Sequence, residues 1–191
     1  MAPGGFLDRM MRSSVERALR LQPPRSRRLV NETRFAISQL RPHLEDMRVA
    51  GRRLVAGDLA IPALTRLALR LPGGDVVATT PNADLAAVDA QDLDTCEPGP
   101  LADVAAELGA TIVAHPSSLL ALAAVGRLPD PAVSTSLGEA AGPIEFGPPT
   151  QPGIGLMRDG AVLAAASTVV ECVVRLEAAE RLALVTLRRP H

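Results

Sequence analysis

His115 is the residue of this sequence with the widest chemical repertoire, because an imidazole binds metals and transfers protons near neutral pH. It is the one histidine inside the apolar part of the chain, and it follows the run Thr111-Ile112-Val113-Ala114. That run predicts a buried strand, and Pro116 predicts that the strand ends at the histidine. Two interpretations stay open: a histidine that finishes a strand, which is the commoner case, and a metal ligand.

Other residue types restrict the chemistry further. The sequence contains no lysine, tyrosine or tryptophan. Schiff-base catalysis, pyridoxal-phosphate attachment and the usual P-loop all require a lysine amine and are excluded. Cys96 and Cys172 have no neighbouring histidine, which argues against a nucleophilic thiol. No CxxC, HExxH or glycine-rich phosphate loop occurs.

The composition is typical of one folded domain of a reduced, cytoplasmic protein. The chain has 191 residues, 47% of them apolar, and a mean hydropathy of +0.18, which is enough to build a core. Two cysteines do not make a disulfide framework. No apolar run approaches the roughly 18 residues that span a bilayer, and Arg9, Arg12 and Arg17 interrupt what would be a signal-peptide core. Arginine and alanine in place of lysine indicate a GC-rich bacterial source.

Charge is distributed unevenly along the chain. Residues 1–60 carry twelve arginines and six acidic residues, whereas residues 61–191 carry eight arginines and fifteen acidic residues. The basic segment has three candidate partners: nucleic acid, an anionic surface, or the acidic body of its own oligomer. Because no aromatic residues alternate with the arginines, a solvated or subunit-docking helix is the favoured interpretation, and nucleic acid is an unlikely partner.

Periodicity divides the chain into an arginine-rich helical extension, residues 1–43, and a folded domain, residues 44–191. Residues 6–21 predict an amphipathic helix that ends at the Pro23-Pro24 pair. Residues 29–57 predict two helical pieces separated near Pro42, because proline disfavours helix at the residue before it.

From Leu67 onward the pattern predicts strands and helices in a mixed order. Residues 67–80 predict a β-hairpin, and residues 141–155 predict a loop with one short strand at 144–146. The remaining predictions are helices at 100–109, 117–125 and 168–187 and strands at 111–114 and 161–165. Helices that flank a mixed sheet make the fold α/β or α+β.

Several segments, taken in order, resemble the class II aldolase/adducin family, which includes fuculose-phosphate aldolase and ribulose-phosphate epimerase. The segments and their family counterparts are residues 50–59 for the first core helix, 80–85 for Thr-Pro-Ser-Gly, 92–93 for Glu-Asp-Leu, 95–97 for Ser-Ser-Glu, 112–115 for Val-Val-His-Thr-His, and 156–163 for Arg-Asn-His-Gly. The resemblance covers about residues 44–185 and depends on order and spacing. It implies a three-layer fold with a central mixed or antiparallel sheet between helices.

The resemblance also implies a site and shows where this chain departs from it. The family holds a divalent metal with three histidines, sometimes with a glutamate, and the metal acts as a Lewis acid on a sugar phosphate or similar carbonyl compound. Here Val113 stands in the place of the first histidine, His115 matches the second, and Asp159 stands in the place of the third. Glu97 matches the glutamate, and Thr65-Arg66 replaces the Gly-Asn of the phosphate pocket.

Two functions follow from these substitutions. The favoured one is a class II aldolase-like domain with a degenerate metal site and no cofactor, which serves as a structural or partner-binding subunit, as adducin heads do. The alternative is a lyase or epimerase with a rebuilt site, in which His115, Asp159 and Glu97 hold zinc, manganese or iron and Glu97 is also the candidate catalytic residue. Each acid also has an ordinary interpretation: a solvated loop residue for Glu97 and a turn former for Asp159.

The family's usual assembly predicts the partners. Its members commonly form fourfold-symmetric tetramers with sites between subunits. The resemblance therefore implies a homo-oligomer, with a tetramer as one form, or pairing with a related subunit that supplies the missing ligands. No membrane association is expected.

Overall fold

The first helix of the described chain, α1, runs without interruption over Ile37–Ala56. The computed structural model of the protein describes residues 37–189, so the helix predicted at 6–21 lies outside the described residues. The prediction of a break near Pro42 is wrong, because Pro42 lies inside α1. One missing hydrogen bond is outweighed by the buried side of the helix, which includes Leu40, Leu44 and Met47. The boundary predicted at residues 43 and 44 therefore falls inside this helix.

A seven-stranded mixed sheet forms the centre of the molecule, with strand order β3-β2-β1-β4-β7-β6-β5. All neighbouring strands are antiparallel except β5 and β6, which are parallel. The strands are β1 Arg66–Arg70, β2 Val76–Thr79, β3 Leu93–Thr95, β4 Ala110–Ala114, β5 Ile144–Phe146, β6 Gly153–Leu156 and β7 Val162–Ala166. The predicted hairpin of β1 and β2 is confirmed.

Helices cover both faces of the sheet and complete three layers. The other α-helices of the described chain are α2 Pro100–Leu108, α3 Ser117–Ala124, α4 Thr135–Ala141 and α5 Val169–Arg188. The main core lies where α1, α3 and α5 meet one face, and it includes Leu54, Ile112 and Leu176. The opposite face carries a smaller cluster beneath α2, made of Ala68, Ala78, Cys96 and Ala105. The predicted α/β architecture is confirmed.

Two elements were missed in the stretch between α3 and β7. Residues 135–141 form α4, for which no helix was predicted, and residues 153–156 form β6, although glycine and proline predicted a loop over 141–155. Gly153 and Gly155 suit the strand because other segments of backbone pack directly against them. A Cβ at Gly155 would lie 2.3 Å from the carbonyl oxygen of Gly147, and one at Gly153 would lie 2.5 Å from that of Pro143.

Within residues 37–189, no helix is both long enough and apolar enough to cross a membrane.

Candidate functional site

His115 lies directly after β4, at the end of the sheet where that strand finishes. Its Nδ1 atom is buried and has no hydrogen-bond partner among the described residues. A histidine that ligates a metal through one ring nitrogen normally donates the other N–H to an acceptor. A metal on Nε2 would place a proton on Nδ1, and a buried donor without an acceptor costs about 1–3 kcal/mol. The described residues around the ring therefore supply no acceptor that would orient it for a metal on Nε2.

Asp159 lies at the same end of the sheet as His115, because Ala114 pairs with Val162 at the start of β7. Its side chain is exposed, and its Oδ1 accepts a hydrogen bond of 3.1 Å from the backbone N–H of Ala161. Gly160 follows with φ of 84°, a left-handed conformation that glycine adopts readily. Asp159 therefore forms the turn between β6 and β7 through Oδ1, one of its two carboxylate oxygens.

Glu97 lies at the opposite end of the sheet from His115. It follows β3, where Thr95 pairs with Val77, and the register continues through Leu69 to Ala110, the first residue of β4. His115 follows the last residue of that strand. At about 3.4 Å per residue, the length of β4 alone separates the two positions by about 13 Å.

The three predicted ligands therefore do not converge within one chain. Among the described residues, no three histidine, cysteine, aspartate or glutamate side chains lie close enough together to hold a metal ion. Together with the unpartnered Nδ1 of His115, this arrangement does not fit a metal held by one subunit alone.

Side chains near the expected phosphate pocket have internal partners. Thr65 is buried, and its Oγ1 accepts a 2.9 Å hydrogen bond from the N–H of Ile61. Arg66 donates from Nε to the carbonyl oxygen of Thr79 at 2.9 Å. Val113, in the place of the first family histidine, is half-buried opposite Arg66 on β1. These contacts link the start of β1 to the end of β2 and to the loop before β1.

Glu180 is a residue near His115 that the sequence pattern did not identify. Its carboxylate accepts hydrogen bonds from the N–H groups of Ser118 at 2.8 Å and Leu119 at 2.9 Å, at the start of α3. A helix N-terminus attracts anions, and here α5 supplies that anion from 61 residues further along the chain. A contact over such a separation leaves no local signal, so only the fold reveals it.

Both cysteines are buried free thiols. Burial raises the pKa of Cys96, and it raises the pKa of the more deeply buried Cys172 further. Because the thiolate is the nucleophilic form, both cysteines are suited to packing rather than catalysis.

An apolar groove opens beside α3, on the helical side of the outer strands. We name it the α3 groove; it has a volume of about 1000 Å³, and its apolar lining includes Leu120, Ala123, Ala124, Phe146, Leu156 and Met157. Phe146 is 55% exposed. Arg158 and Asp159 also line it. The sequence held one signal of this groove, because Phe146 is the one Phe, Tyr or Trp residue between residues 37 and 189.

Comparisons with known proteins agree with this architecture. No protein-family model and no curated protein matches the chain. Solved structures do match: YgbL of Klebsiella pneumoniae has a TM-score of 0.61 and 19% identity, over 79% of this chain and 92% of that one. The L-fuculose-1-phosphate aldolase of Thermus thermophilus has a TM-score of 0.57 and 17% identity, over 78% of this chain and 97% of that one.

A third structure supports the same conclusion. An aldolase II superfamily protein of Pseudomonas syringae has a TM-score of 0.59 and 13% identity, over 78% of this chain and 75% of that one. Identities this low establish a shared fold rather than a shared activity. The chain has the fold of the class II aldolases, as its sequence predicted.

Proposed function

We propose that this chain is a non-catalytic domain with the class II aldolase fold, which serves as a structural or partner-binding subunit. The observation that carries the proposal is the separation of the candidate ligands: Glu97 lies at the other end of the sheet from His115. Asp159 lies at the same end as His115 but uses Oδ1 to form its own turn. On this proposal the chain needs no metal and no other cofactor.

The neighbouring side chains support the same proposal. Thr65 and Arg66 bond to backbone atoms of their own chain, and Glu180 occupies the amides at the start of α3. A site for a phosphorylated substrate needs cationic groups or free amides directed at the phosphate. Here Thr65, the Nε of Arg66 and the first amides of α3 make hydrogen bonds within the fold instead.

Exposed apolar side chains support a role in binding partners. Leu64 is 53% exposed after α1, and Leu187 is 43% exposed near the end of α5. Other exposed apolar residues at these two places are Val55, Ile61, Leu184 and Val185. Apolar surface of this kind is a feature of protein interfaces. We expect a homo-oligomer, with a tetramer as one form, or a complex with a related subunit.

A metal-dependent lyase is the second candidate, because His115 and the turn that contains Asp159 lie at the same end of the sheet. In this version His115 and Asp159 hold zinc, manganese or iron, and a neighbouring subunit supplies the remaining ligand, for which its copy of Glu97 is one candidate. A bound metal would supply Lewis-acid polarisation of a carbonyl oxygen. Asp159 would bind through Oδ2, because its Oδ1 accepts the N–H of Ala161.

Elemental analysis of the full chain, purified without chelator or affinity tag, distinguishes these two functions. We expect less than about 0.1 transition metal per chain, with no change in His115→Ala. His43→Ala is the matched control, because His43 lies in α1 beside the β1–β2 turn, away from His115. About one metal per chain that is lost in His115→Ala and kept in His43→Ala would overturn the proposal and favour the lyase.

Sedimentation velocity on the same sample tests the binding role. An oligomer, or a defined complex with a related subunit, supports it. A protein that stays monomeric at low salt and high concentration, and that forms no such complex, contradicts it.

A further inference from the structure

The α3 groove exposes apolar surface on a part of the fold that the described helices leave uncovered. Phe146 pairs with Leu156 across β5 and β6, so that the two side chains lie next to each other on the sheet. Leu156 is buried, whereas Phe146 is 55% exposed. Val125, directly after α3, is 66% exposed. A groove of about 1000 Å³ with such a lining is large enough to receive several side chains of a helix.

The α3 groove is open because the elements around it are short. β5 has three residues and forms the edge of the sheet, and α3 has only eight residues. α5 covers the central strands with a row of buried side chains but leaves Phe146 exposed. Helices therefore cover the central strands of the sheet but leave its β5 edge partly exposed.

The sequence contains a segment with the complementary pattern. In residues 6–21, Leu7, Met11, Val15 and Ala18 follow helical spacing and predict one apolar side. Met10, Leu19 and Leu21 widen that side, whereas Arg9, Arg12, Arg17 and Arg20 fall on the opposite one, together with Phe6. A helix of 16 residues is marginally stable alone in water, because most helical stability in proteins comes from packing an apolar side. We infer that residues 6–21 dock as a helix in the α3 groove of the same chain.

Charge favours this intramolecular contact. Residues 1–36 contain eight arginines and three acidic residues, a net charge of +5, whereas residues 37–189 contain twelve arginines and eighteen acidic residues, a net charge of −6. Opposite net charges attract the segment to the domain. Because Arg9, Arg12 and Arg20 lie opposite the apolar side, docking leaves them in water.

The connection is long enough. α1 begins at Ile37 at the end of the sheet near the β1–β2 turn, since His43 lies beside Pro72. The α3 groove lies toward the other end, beside Asp159. Residues 22–36 span up to about 50 Å when extended, and a domain of this size has a radius of gyration of about 15 Å. The segment can therefore cross the domain and reach the groove without a second copy.

Hydrogen exchange measured by mass spectrometry on the full chain tests the contact from both sides. In the wild type we expect amides of residues 7–19 to exchange at least about tenfold more slowly than in the free peptide. Phe146→Asp should remove that protection, whereas Val174→Asp, at a 39% exposed position on α5 outside the groove, should keep it. Conversely, Met11→Asp should speed exchange in residues 120–125.

Three outcomes would overturn the inference. Residues 7–19 exchange at peptide rates in the wild type, or Phe146→Asp leaves their protection unchanged, or protection falls on twentyfold dilution. The last result would assign the contact to a second copy. Because Phe146 and Val174 are both exposed, neither variant requires the core to repack. The inference holds whether or not the domain binds a metal.

Discussion

Individual side chains decide whether the sheet end near His115 is a reactive site or a self-sufficient part of the fold. Glu180, Thr65 and Arg66 each satisfy backbone groups there. The sequence identified His115 and Asp159 because type and local spacing suffice for a strand end and an Asp-Gly turn. It could not place Glu97, since the register of β1, β2, β3 and β4 determines that position. The sequence therefore identified the side chains that could bind a metal, but it could not show whether they lie close together.

The ion pair of Glu171 and Arg175 predicts a pH dependence of stability. The hydrogen bond from Arg175, with a second one from Ser167, lowers the pKa of Glu171 below its ordinary value of 4.5. The unfolded chain then binds more protons in acid, so the contribution is complete above pH 4.5 and is lost as the pH falls through the folded-state value. Because Glu171 is 39% exposed, we expect Glu171→Gln to cost less than about 1 kcal/mol at pH 7.

Chemical denaturation at pH 7 and at pH 3 measures this effect. The difference between wild type and Glu171→Gln should shrink toward the lower pH. Glu107→Gln is the matched control, because Glu107 is exposed on α2 and its side chain makes no hydrogen bond or ion pair with the described residues. A difference that grows in acid would contradict the prediction.

At the scale of elements, α1 depends on a close approach at Gly51. A Cβ at this position would lie 1.7 Å from the carbonyl oxygen of Leu85, which no movement of a flexible side chain can relieve. We therefore expect Gly51→Ala to lower the free energy of unfolding by about 2–4 kcal/mol, despite the higher helix propensity of alanine.

Urea denaturation of Gly51→Ala and Gly73→Ala measures this contact. Gly73 lies in the β1–β2 turn, and its Cβ would meet nothing within 4 Å, so its variant should stay within about 0.5 kcal/mol of the wild type. Equal stability of the two variants would show that α1 and the segment around Leu85 separate easily.

Helices and strands could be predicted wherever the apolar spacing of the sequence matches the burial of those residues in the structure. β1, β2, β4 and α5 all show regular apolar spacing. β6 does not, because Gly153 and Gly155 serve backbone approaches from residues distant in sequence. Pro42 gave a misleading signal, since a local preference predicted a break and burial of Leu40 and Leu44 keeps α1 continuous.

At the scale of the whole molecule, the two faces of the sheet are stabilised unequally. α5 buries nine residues, among them Val173, Leu176 and Leu182, whereas α2 buries only Val104 and Ala105. The cluster beneath α2 consists of three alanines and Cys96. Hydrophobic stabilisation scales with the apolar area removed from water, so small side chains contribute less. The α2 layer is therefore the part of the fold expected to open first.

Native-state hydrogen exchange measures this difference directly. We expect amides of residues 104–108 to exchange through a local opening whose free energy lies at least about 2 kcal/mol below that of the amides of residues 173–183. Leu176→Ala should lower the stability of both layers, because it leaves a cavity in the main core. Ala105→Gly should lower only that of α2. If both layers instead exchange with one common free energy in every variant, α2 is bound as firmly as the main core. The loop containing Glu97, which leads directly into α2, would then be held in place at its end of the sheet, with no local opening to move the carboxylate toward His115.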